Sequence, residues 1–329
     1  MDNYDDVLHQ MEEFGIKFRT PGDLPLKVDQ LKSKTCGKGG KWWYSLHTFR
    51  PDAGGCLIVG RFGSYQSGKS ERVEIAWKPI GDAERARRKA EHDAARAAAD
   101  AARAAEAELA ALSAADLWRR ACKLGESPYL VRKGVVGEAC RYLPGGEVLV
   151  PLLRYDLPRD QALRGVQRIK ADGGKLFTFG FAKAGCAVRL GDALPGFIIL
   201  ICEGYATGLT LRMATGHKLA VYVALDAGNL AHVVPLVRAL HPTCRILICA
   251  DDDYRTRDHT GALHNAGRVA ALKVAKTVVG CDLLYPIFLS VGRGPKDTDF
   301  NDLHKLQGLE AVARQISAVV SAIRTKHHG

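Results

Sequence analysis

The sequence lacks the patterns that would place the chain in a membrane or around a structural zinc ion. No stretch approaches the roughly 18 uninterrupted apolar residues that a membrane-spanning helix needs. Its nine cysteines are scattered, without a Cys-x-x-Cys pair or tight Cys/His ligand spacing, so zinc is not expected. The first residues are acidic and polar, unlike a signal peptide. We therefore expect a cytoplasmic protein, in a reducing compartment and without a membrane partner.

What is present is an excess of basic residues that is unevenly distributed. The 329 residues carry a net charge of +11. Residues 15–81 hold 12 Lys or Arg against 5 Asp or Glu, and residues 119–189 hold 14 against 6. Residues 197–302 are nearly balanced, with 11 against 10. This distribution predicts a surface for a polyanion, with nucleic acid as the first candidate, in the first two-thirds of the chain. A solvated basic surface without a partner is the alternative.

Composition divides the chain into segments of different character. Residues 1–81 mix aromatics, glycines and short strand-like runs, which predicts a small β-rich antiparallel module behind a short first helix. The character changes in residues 82–120. Half of residues 82–111 are Ala, and this segment contains neither Gly nor Pro. That composition predicts a long helical linker, of roughly 45 Å for thirty residues, and a partner-bound or partly frayed helix is the alternative. Residues 121–195 are basic and return to strand-like runs at residues 147–153, 163–169 and 175–180, with turns at Pro144-Gly145-Gly146 and Asp172-Gly173-Gly174, which predicts an α+β subdomain. Residues 307–329 contain a last amphipathic helix.

Strand and helix patterns alternate in residues 196–306. The continuous apolar run at residues 197–202 is typical of a buried parallel strand. Three more strands are expected at residues 219–225, 245–250 and 282–288, with helices at residues 206–215, 231–240 and 264–279 between the four. This order predicts an α/β domain, a parallel sheet with helices on both faces.

Carboxylates follow each of the four predicted strands. They are Glu203 after the first, Asp226 after the second, Asp251, Asp252 and Asp253 after the third, and Asp297, Asp299 and Asp302 after the fourth. Ligands of open α/β sheets bind at the carboxyl ends of the strands. Like charges that are packed together repel, so a cation is expected there. Carboxylate oxygens without His or Cys favour Mg²⁺ or Mn²⁺ over zinc.

Each of these acids also has a purely structural explanation. Asp226 stands in an Asp-Ala-Gly-Asn sequence that fits a helix cap and turn. Asp299 and Asp302 can cap the helix that follows them. Glu203 can belong to an ordinary strand-ending turn, and the run of residues 251–253 to a helix cap or an exposed loop. We favour the metal-site hypothesis because all of these separate explanations would have to hold at once.

Three short motifs together resemble the TOPRIM fold. They are Glu203-Gly204-Tyr205-Ala206-Thr207-Gly208, Ala250-Asp251-Asp252-Asp253 and Asp299-Phe300-Asn301-Asp302. More narrowly, the chain resembles the bacterial-type DNA primases of conjugative plasmids and phages, the TraC-like group, over roughly residues 120–306. The upstream part of the resemblance lies in Tyr129-Leu130, Arg132-Lys133-Gly134, Val150-Pro151-Leu152, Gln167-Arg168-Ile169 and Asp172-Gly173-Gly174-Lys175. Topoisomerases and nucleases share the three acids, whereas the basic stretch before them points to primases.

The resemblance implies a DNA primase that makes short RNA primers on single-stranded DNA by metal-dependent nucleotidyl transfer. Glu203, Asp251 and Asp253 would be catalytic and metal-binding, and Asp226 and Asp299 would be further metal ligands. The residues that would contact template or nucleotide phosphates are Arg168, Lys175, Lys183, Arg132 and Lys133. The implied partners are the single-stranded DNA template and ribonucleoside triphosphates, and a replicative helicase or a single-strand-binding protein is compatible with the same role.

The N-terminal module departs from this family, because the ligands of the zinc ribbon found in many such primases are missing. Basic and aromatic residues are interleaved instead at Lys41, Trp42, Trp43 and Arg61, a mixture that predicts binding of single-stranded DNA. The alternative is that one of the two tryptophans belongs to the core. The spacing of the glycines in residues 63–70 matches a nucleotide-binding P-loop, but the residues that follow predict a strand, which argues against one.

Two other functions stay open at this point. A TOPRIM nuclease would use the same acids to activate water. A catalytically silent DNA-binding or inhibitory module would keep the fold without the chemistry, although the intact acids argue against it. A topoisomerase of type IA is not expected, because its large strand-passage domains do not fit into 329 residues.

Overall fold

The structure is a computed structural model that falls into two compact units. It describes residues 1–18, 22–51, 54–75, 82–257, 261, 263, 265–289 and 292–325, without the side chains of residues 82–85, 88 and 324. The first unit comprises Met1–Asp100 and Arg257–Ala262, and the second comprises Ala101–Thr256 and Leu263–Gly329. Within the described ranges, no helix combines the length and the apolar character needed to cross a membrane.

The first unit is built on a four-stranded antiparallel sheet. Its elements are α1 (Tyr4–Glu13), β1 (Lys34–Cys36), β2 (Trp42–Phe49), β3 (Leu57–Ser64) and β4 (Ser70–Arg72), with the strands in the order β1-β2-β3-β4. Val7 and Met11, one helical turn apart, are buried against the sheet residues Tyr44, Leu46 and Phe62. The predicted antiparallel module and its first helix are confirmed. The last predicted residues of this module, 76–81, lie outside the described residues.

The Ala-rich segment forms one helix, α2 (Asp82–Arg120), of 39 residues. Its described side chains up to Ala105 are exposed, apart from that of the half-buried Ala99. Ala114 is buried with Ala121, Leu149 and Val166 in a small core of the second unit. The helix that the composition predicts is therefore present, and its last third is the part that packs.

A second antiparallel sheet follows. Its elements are α3 (Pro128–Lys133), β5 (Arg141–Leu143), β6 (Glu147–Leu153), β7 (Leu163–Ile169) and β8 (Lys175–Phe177), with the strands in the order β5-β6-β7-β8. The strands β6 and β7 match the predicted runs. The strand β8 ends three residues earlier than predicted, because the Thr178 side chain turns back on β7. Its hydroxyl accepts a hydrogen bond from the Val166 N–H at 3.0 Å, and Gly180 has a left-handed φ of 73°.

The second unit also contains a five-stranded sheet that is mainly parallel. Its elements are β9 (Val188–Leu190), β10 (Ile198–Cys202), α4 (Tyr205–Ala214), β11 (Val221–Val223), α5 (Ala227–Leu240), β12 (Arg245–Cys249), α6 (Ala266–Thr277), β13 (Cys281–Leu284), α7 (Phe300–Gln307) and α8 (Leu309–Thr325). The strand order is β13-β12-β10-β11-β9. Strands β10 to β13 are parallel, as predicted. The antiparallel edge strand β9 was not predicted. His264, the predicted start of the third helix, lies outside the described residues.

Alternate residues of the central strand enter two different cores. Leu200 and Cys202 of β10 pack on one face with Leu209 of α4 and Phe300 of α7. Ile199 and Ile201 pack on the other face, with Val234 of α5 among their neighbours. A strand that is buried on both faces has no place for a charge, so the first acid, Glu203, follows directly where the strand ends.

Candidate metal centre

The two neighbouring central strands bring Glu203 and Asp251 together. In the register of the sheet, Cys202 at the end of β10 lies opposite Cys249 at the end of β12. Glu203 is the next residue on its strand, and Asp251 stands two residues past Cys249. The Asp251 N–H donates a hydrogen bond to Glu203 Oε1 at 3.4 Å. The predicted meeting of these two strand-end acids is therefore present in the structure.

Both carboxyl groups are buried among other acids, and this raises their pKa values. Burial raises the pKa of Glu203 to about 7, helped by the charges of Asp253, Asp226 and Asp299 and opposed by the Asp251 N–H. Burial also raises the pKa of Asp251 well above its ordinary value, and the Glu203 charge adds to the effect. Among the residues that the structure describes, none forms a hydrogen bond with the buried Asp251 Oδ1. A site of this kind favours neutralisation, by a proton or by a cation.

The chemistry of these donors fits a hard divalent cation. The neighbouring charges that raise the pKa values of Glu203 and Asp251 all belong to Asp or Glu side chains. Ionised carboxylate oxygens are the ligands that Mg²⁺ and Mn²⁺ prefer. Asp251 Oδ1, to which no described residue donates a hydrogen bond, is a buried acceptor in this group. In the part of the chain that the structure describes, however, no three His, Cys, Asp or Glu side chains are grouped as a ready-made metal site. The ligand assignment therefore stays a proposal.

The two outer acids, Asp226 and Asp299, are helix caps. Asp226 caps α5 by accepting a hydrogen bond from the Asn229 N–H at 3.0 Å. Asp299 caps α7 by accepting one from the Asp302 N–H at 2.8 Å, within a reciprocal capping box. Its second oxygen accepts from the Thr207 hydroxyl at 2.9 Å. The cap interpretation is correct for both residues, and both still lie close enough to Glu203 to raise its pKa.

Asp252, the middle acid of its loop, points away from this group and is held by an arginine that the sequence did not reveal. Arg293 donates a hydrogen bond to Asp252 Oδ2 at 3.0 Å and another to the Asp297 carbonyl oxygen at 2.9 Å. Its guanidinium group lies 3.8 Å from the ring centre of Tyr254 and 4.2 Å from that of Phe288. Arg293 therefore joins the loop that carries Asp251 and Asp253 to the loop that precedes Asp299.

Asn265 holds the same loop from the other side. Its amide nitrogen donates to Asp252 Oδ1 at 2.8 Å, and its amide oxygen accepts from the Asp253 N–H at 3.1 Å. The same oxygen caps α6 by accepting from the Arg268 N–H at 3.2 Å. The Asp251-Asp252-Asp253 loop is thus fixed by its middle residue, which leaves the two flanking acids available for a ligand.

The Arg293→Gln substitution is expected to lower the free energy of unfolding of the second unit by about 2 kcal/mol, because it leaves the Asp252 carboxylate, 12% exposed, without its main charged partner. That loss corresponds to a fall of roughly 4–8 °C in the thermal midpoint. Arg268→Gln is the matched control, since Arg268 is 51% exposed and 3.5 Å from Asp252. A screened contact of this kind is worth less than about 1 kcal/mol. Equal midpoints for both variants in thermal unfolding would contradict the assignment.

The predicted phosphate-binding residues lie in two places in the second unit. Lys183 forms an ion pair with Asp226, and Lys133 lies 3.8 Å from Asp302, so both reach the acidic edge of the parallel sheet. Arg168 and Lys175 belong instead to the antiparallel sheet. There the Arg168 guanidinium is bound by Glu147 at 2.7 Å. Arg132, near α3's end, donates to the Ala171 carbonyl oxygen at 2.7 Å.

The four N-terminal candidates separate by the face of the sheet on which they lie. Trp42, predicted to contact DNA, packs against the core of the first unit. Strand alternation then places Trp43 on the opposite face, and its register partner there is Gly63. Lys41 and Arg61 are exposed. The interpretation that one of the two tryptophans belongs to the core is thus correct, and that residue is Trp42.

Comparison with protein families and known proteins finds similarity in the same part of the chain. Residues 198–310 match the model of the Toprim domain, a span that contains Glu203, Asp251 and Asp253. The chain is 32% identical over 246 residues to DNA primase TraC of Escherichia coli, which covers 70% of this chain and 22% of that protein. It thus spans about a fifth of the length of this relative. The resemblance to TOPRIM-containing primases, and with it the α/β fold class, is confirmed.

Two solved structures give weaker overall similarity. The primase fragment of the bacteriophage T7 primase-helicase protein is 12% identical, with a TM-score of 0.38 over 57% of this chain and 69% of that one. A structure of bacteriophage T7 lagging-strand DNA polymerase with the primase domains of two gp4 subunits, bound to an RNA/DNA hybrid and dTTP, is 15% identical. Its TM-score is 0.39, over 61% of this chain and 91% of the matched one.

Proposed function

With a Toprim domain at residues 198–310 as the premise, we propose that this protein is a DNA primase that joins ribonucleotides into short primers on single-stranded DNA. The observation that carries the proposal is the buried pair of Glu203 and Asp251 at the carboxyl ends of β10 and β12. The similarity to a DNA primase extends over 246 residues, more than the Toprim domain alone, and this favours primer synthesis over the other reactions of Toprim proteins.

Glu203, Asp251 and Asp253 are the residues that would hold the divalent cation. When bound, the cation would neutralise the triphosphate and make the attacking hydroxyl group more acidic. The protein's own contribution is to hold charge in fixed places. Burial and mutual repulsion destabilise the ionised forms of Glu203 and Asp251, and a bound cation would relieve this destabilisation.

Basic residues beside the acids would hold the phosphates of the nucleotide. Lys183, paired with Asp226, and Lys133, near Asp302, lie at the acidic edge, where they can exchange a carboxylate partner for a phosphate oxygen. Arg293 would act as a positioning residue, because it binds the Asp252 side chain and keeps the flanking acids in place. Phosphoryl transfer depends mainly on such positioning and charge stabilisation.

The test is primer synthesis by the purified full chain. The protein is incubated with single-stranded DNA of mixed sequence, labelled ribonucleoside triphosphates and Mg²⁺ or Mn²⁺, and the products are separated by size. We expect oligoribonucleotides that require template and metal and that disappear in Glu203→Gln. Absence of products with every template and both metals, from a protein whose folding is verified by circular dichroism, would reject the proposal.

The same assay separates the other two functions. A labelled DNA strand in the reaction reports cleavage, so metal-dependent cleavage without ribonucleotide incorporation would identify a nuclease. Metal-independent binding of DNA with neither incorporation nor cleavage would identify a module without catalysis. Both outcomes overturn the primase proposal.

A further inference from the structure

The sheet of the first unit has one buried face and one face that carries aromatic and basic side chains. Tyr44 and Leu46 of β2 and Phe62 of β3 are buried in the core below the sheet. Successive residues of a strand point to opposite faces. The register pairs Trp43–Gly63 and Ser45–Arg61 therefore lie on the other face, which we call the outer face.

The outer face carries an aromatic pair, Trp43 and Tyr65, at the end of the ladder between β2 and β3. Their ring centres are 6.3 Å apart, with 42° between the ring planes. Tyr65, just beyond β3, is 58% exposed, and its N–H donates to the Lys41 carbonyl oxygen at 3.0 Å. A Cβ atom on Gly63 would lie 3.0 Å from Trp43 Cε2, so the glycine lets the indole lie close against the strand. One side of the indole is thus supported by backbone.

Exposed basic residues lie on the same face as this pair. Arg61 and Arg72 are register partners on β3 and β4, and both are exposed. The Arg61 guanidinium donates to the Ser70 hydroxyl at 2.9 Å, which holds it along the sheet. Lys41 is exposed and directly precedes β2. Glu71, the acid next to Arg72, is the register partner of Phe62 and so belongs to the opposite face.

We propose that the outer face binds single-stranded nucleic acid. Bases would stack on Trp43 and Tyr65, and Arg61, Arg72 and Lys41 would neutralise the phosphates on either side of them. Aromatic rings accept the flat face of any base, and flanking cations follow the backbone, which is how open sheets bind single strands without reading their sequence. Binding of single-stranded nucleic acid to the outer face needs neither nucleotides nor metal. Only the role of the bound nucleic acid as a primase template rests on the proposed function.

The affinity test uses the full chain and a fluorescein-labelled dT12 strand, without metal or nucleotides. We expect Trp43→Ala and Tyr65→Ala each to weaken binding between about fivefold and a hundredfold, measured by fluorescence anisotropy. Leu31→Ala, at an apolar residue that is 90% exposed elsewhere in the unit, should leave the affinity unchanged. Arg61→Gln should reduce the slope of log affinity against log salt by somewhat less than one unit.

Tryptophan fluorescence is a second readout. It reports binding at the outer face even if nucleic acid also binds to other basic surfaces. Binding of dT12 should quench tryptophan emission in the wild type and in Trp118→Phe, whereas Trp43→Phe should lose most of the quenching. A U12 strand compared with dT12 distinguishes RNA from DNA as the occupant, and duplex DNA should bind more weakly than either. Tyr65→Ala keeps the test valid if a Trp43 variant fails to fold.

Wild-type affinity in both Trp43→Ala and Tyr65→Ala, or equal quenching in Trp43→Phe, would overturn the proposal. Loss of primer synthesis in an acid variant that still binds dT12 concerns only the active site. Loss of dT12 binding in Trp43→Ala without loss of metal-dependent stabilisation concerns only the outer face. The two proposals can therefore fail independently of each other.

Discussion

The Asp251→Asn variant is expected to lose ribonucleotide incorporation and, in the absence of divalent metal, to unfold at a higher temperature than the wild type. Both effects follow from one property of this carboxyl group. It is buried beside Glu203, and no residue in the described part of the chain forms a hydrogen bond with its Oδ1. A ligand for a cation is useful in the loaded enzyme but costs stability in the empty one.

The gain in stability comes from removing a buried negative charge. Burial raises the pKa of Asp251 above its ordinary value of 3.8, so ionisation at neutral pH opposes folding. The isosteric amide removes this cost, and we expect a gain of about 1–2 kcal/mol, or roughly 2–8 °C in the midpoint. Because the folded-state pKa is raised, the wild type loses stability as pH rises above about 4. The advantage of the variant should therefore be largest near pH 8 and vanish near pH 4.

The loss of activity comes from removing a metal ligand. Without it the cation and the phosphates that it positions are misplaced, and we expect incorporation to fall by about a thousandfold or more. Mg²⁺ at 100 times its dissociation constant should stabilise the wild type by about 2.7 kcal/mol and the variant by much less.

Differential scanning fluorimetry at pH 8, with and without Mg²⁺, and primer synthesis measure the two effects. Asp160→Asn, at an exposed aspartate, is the control and should change neither. An Asp251→Asn protein with incorporation near the wild-type level would exclude Asp251 as a catalytic ligand. If the variant unfolds at a lower temperature than the wild type without metal, the buried Asp251 charge does not lower the stability of the protein.

The strand-end acids could be predicted from the sequence because both signals that place them are local. Buried strands such as β10 and β12 are continuous apolar runs, and the acid that follows each run marks its end. Strands β6 and β7 were equally clear, since the turns at Gly145-Gly146 and Gly173-Gly174 set their ends. The edge strand β9 was missed because three residues, Val188–Leu190, are too few to show a period.

The role of Arg293 could not be predicted, because it depends on a contact across 41 residues of sequence. No spacing rule connects Arg293 to Asp252, and only the packing of two loops at the sheet edge brings them together. The same holds for the tryptophan pair. Alternation predicts that Trp42 and Trp43 face opposite sides, but the register with β3 decides which of them meets the core.

Gly267→Ala is expected to displace the acids of the candidate metal centre, because Gly267 lies in the helix α6 next to them. Gly267 is the second residue of α6. A Cβ atom there would lie 2.8 Å from the Asp251 carbonyl oxygen and 2.9 Å from Glu203 Oε1. Real Cβ atoms do not approach oxygen so closely, so either the helix or the acids must move. Misplacing catalytic groups by about 1 Å costs roughly a hundredfold in rate, and we expect a loss of incorporation of that size.

The chain supplies a matched control at the start of α5. Gly228 is also the second residue of its helix and also follows an alanine, but a Cβ atom there would lie 3.4 Å from Asp226 Oδ1, an ordinary contact. Helix propensity alone favours Ala over Gly in both helices, by up to about 1 kcal/mol. Gly228→Ala should therefore keep or raise the thermal midpoint, whereas Gly267→Ala should lower both the midpoint and the stabilisation by Mg²⁺. Identical behaviour of the two variants in melting and primer synthesis would mean that α6 does not need to approach Glu203 and Asp251 so closely.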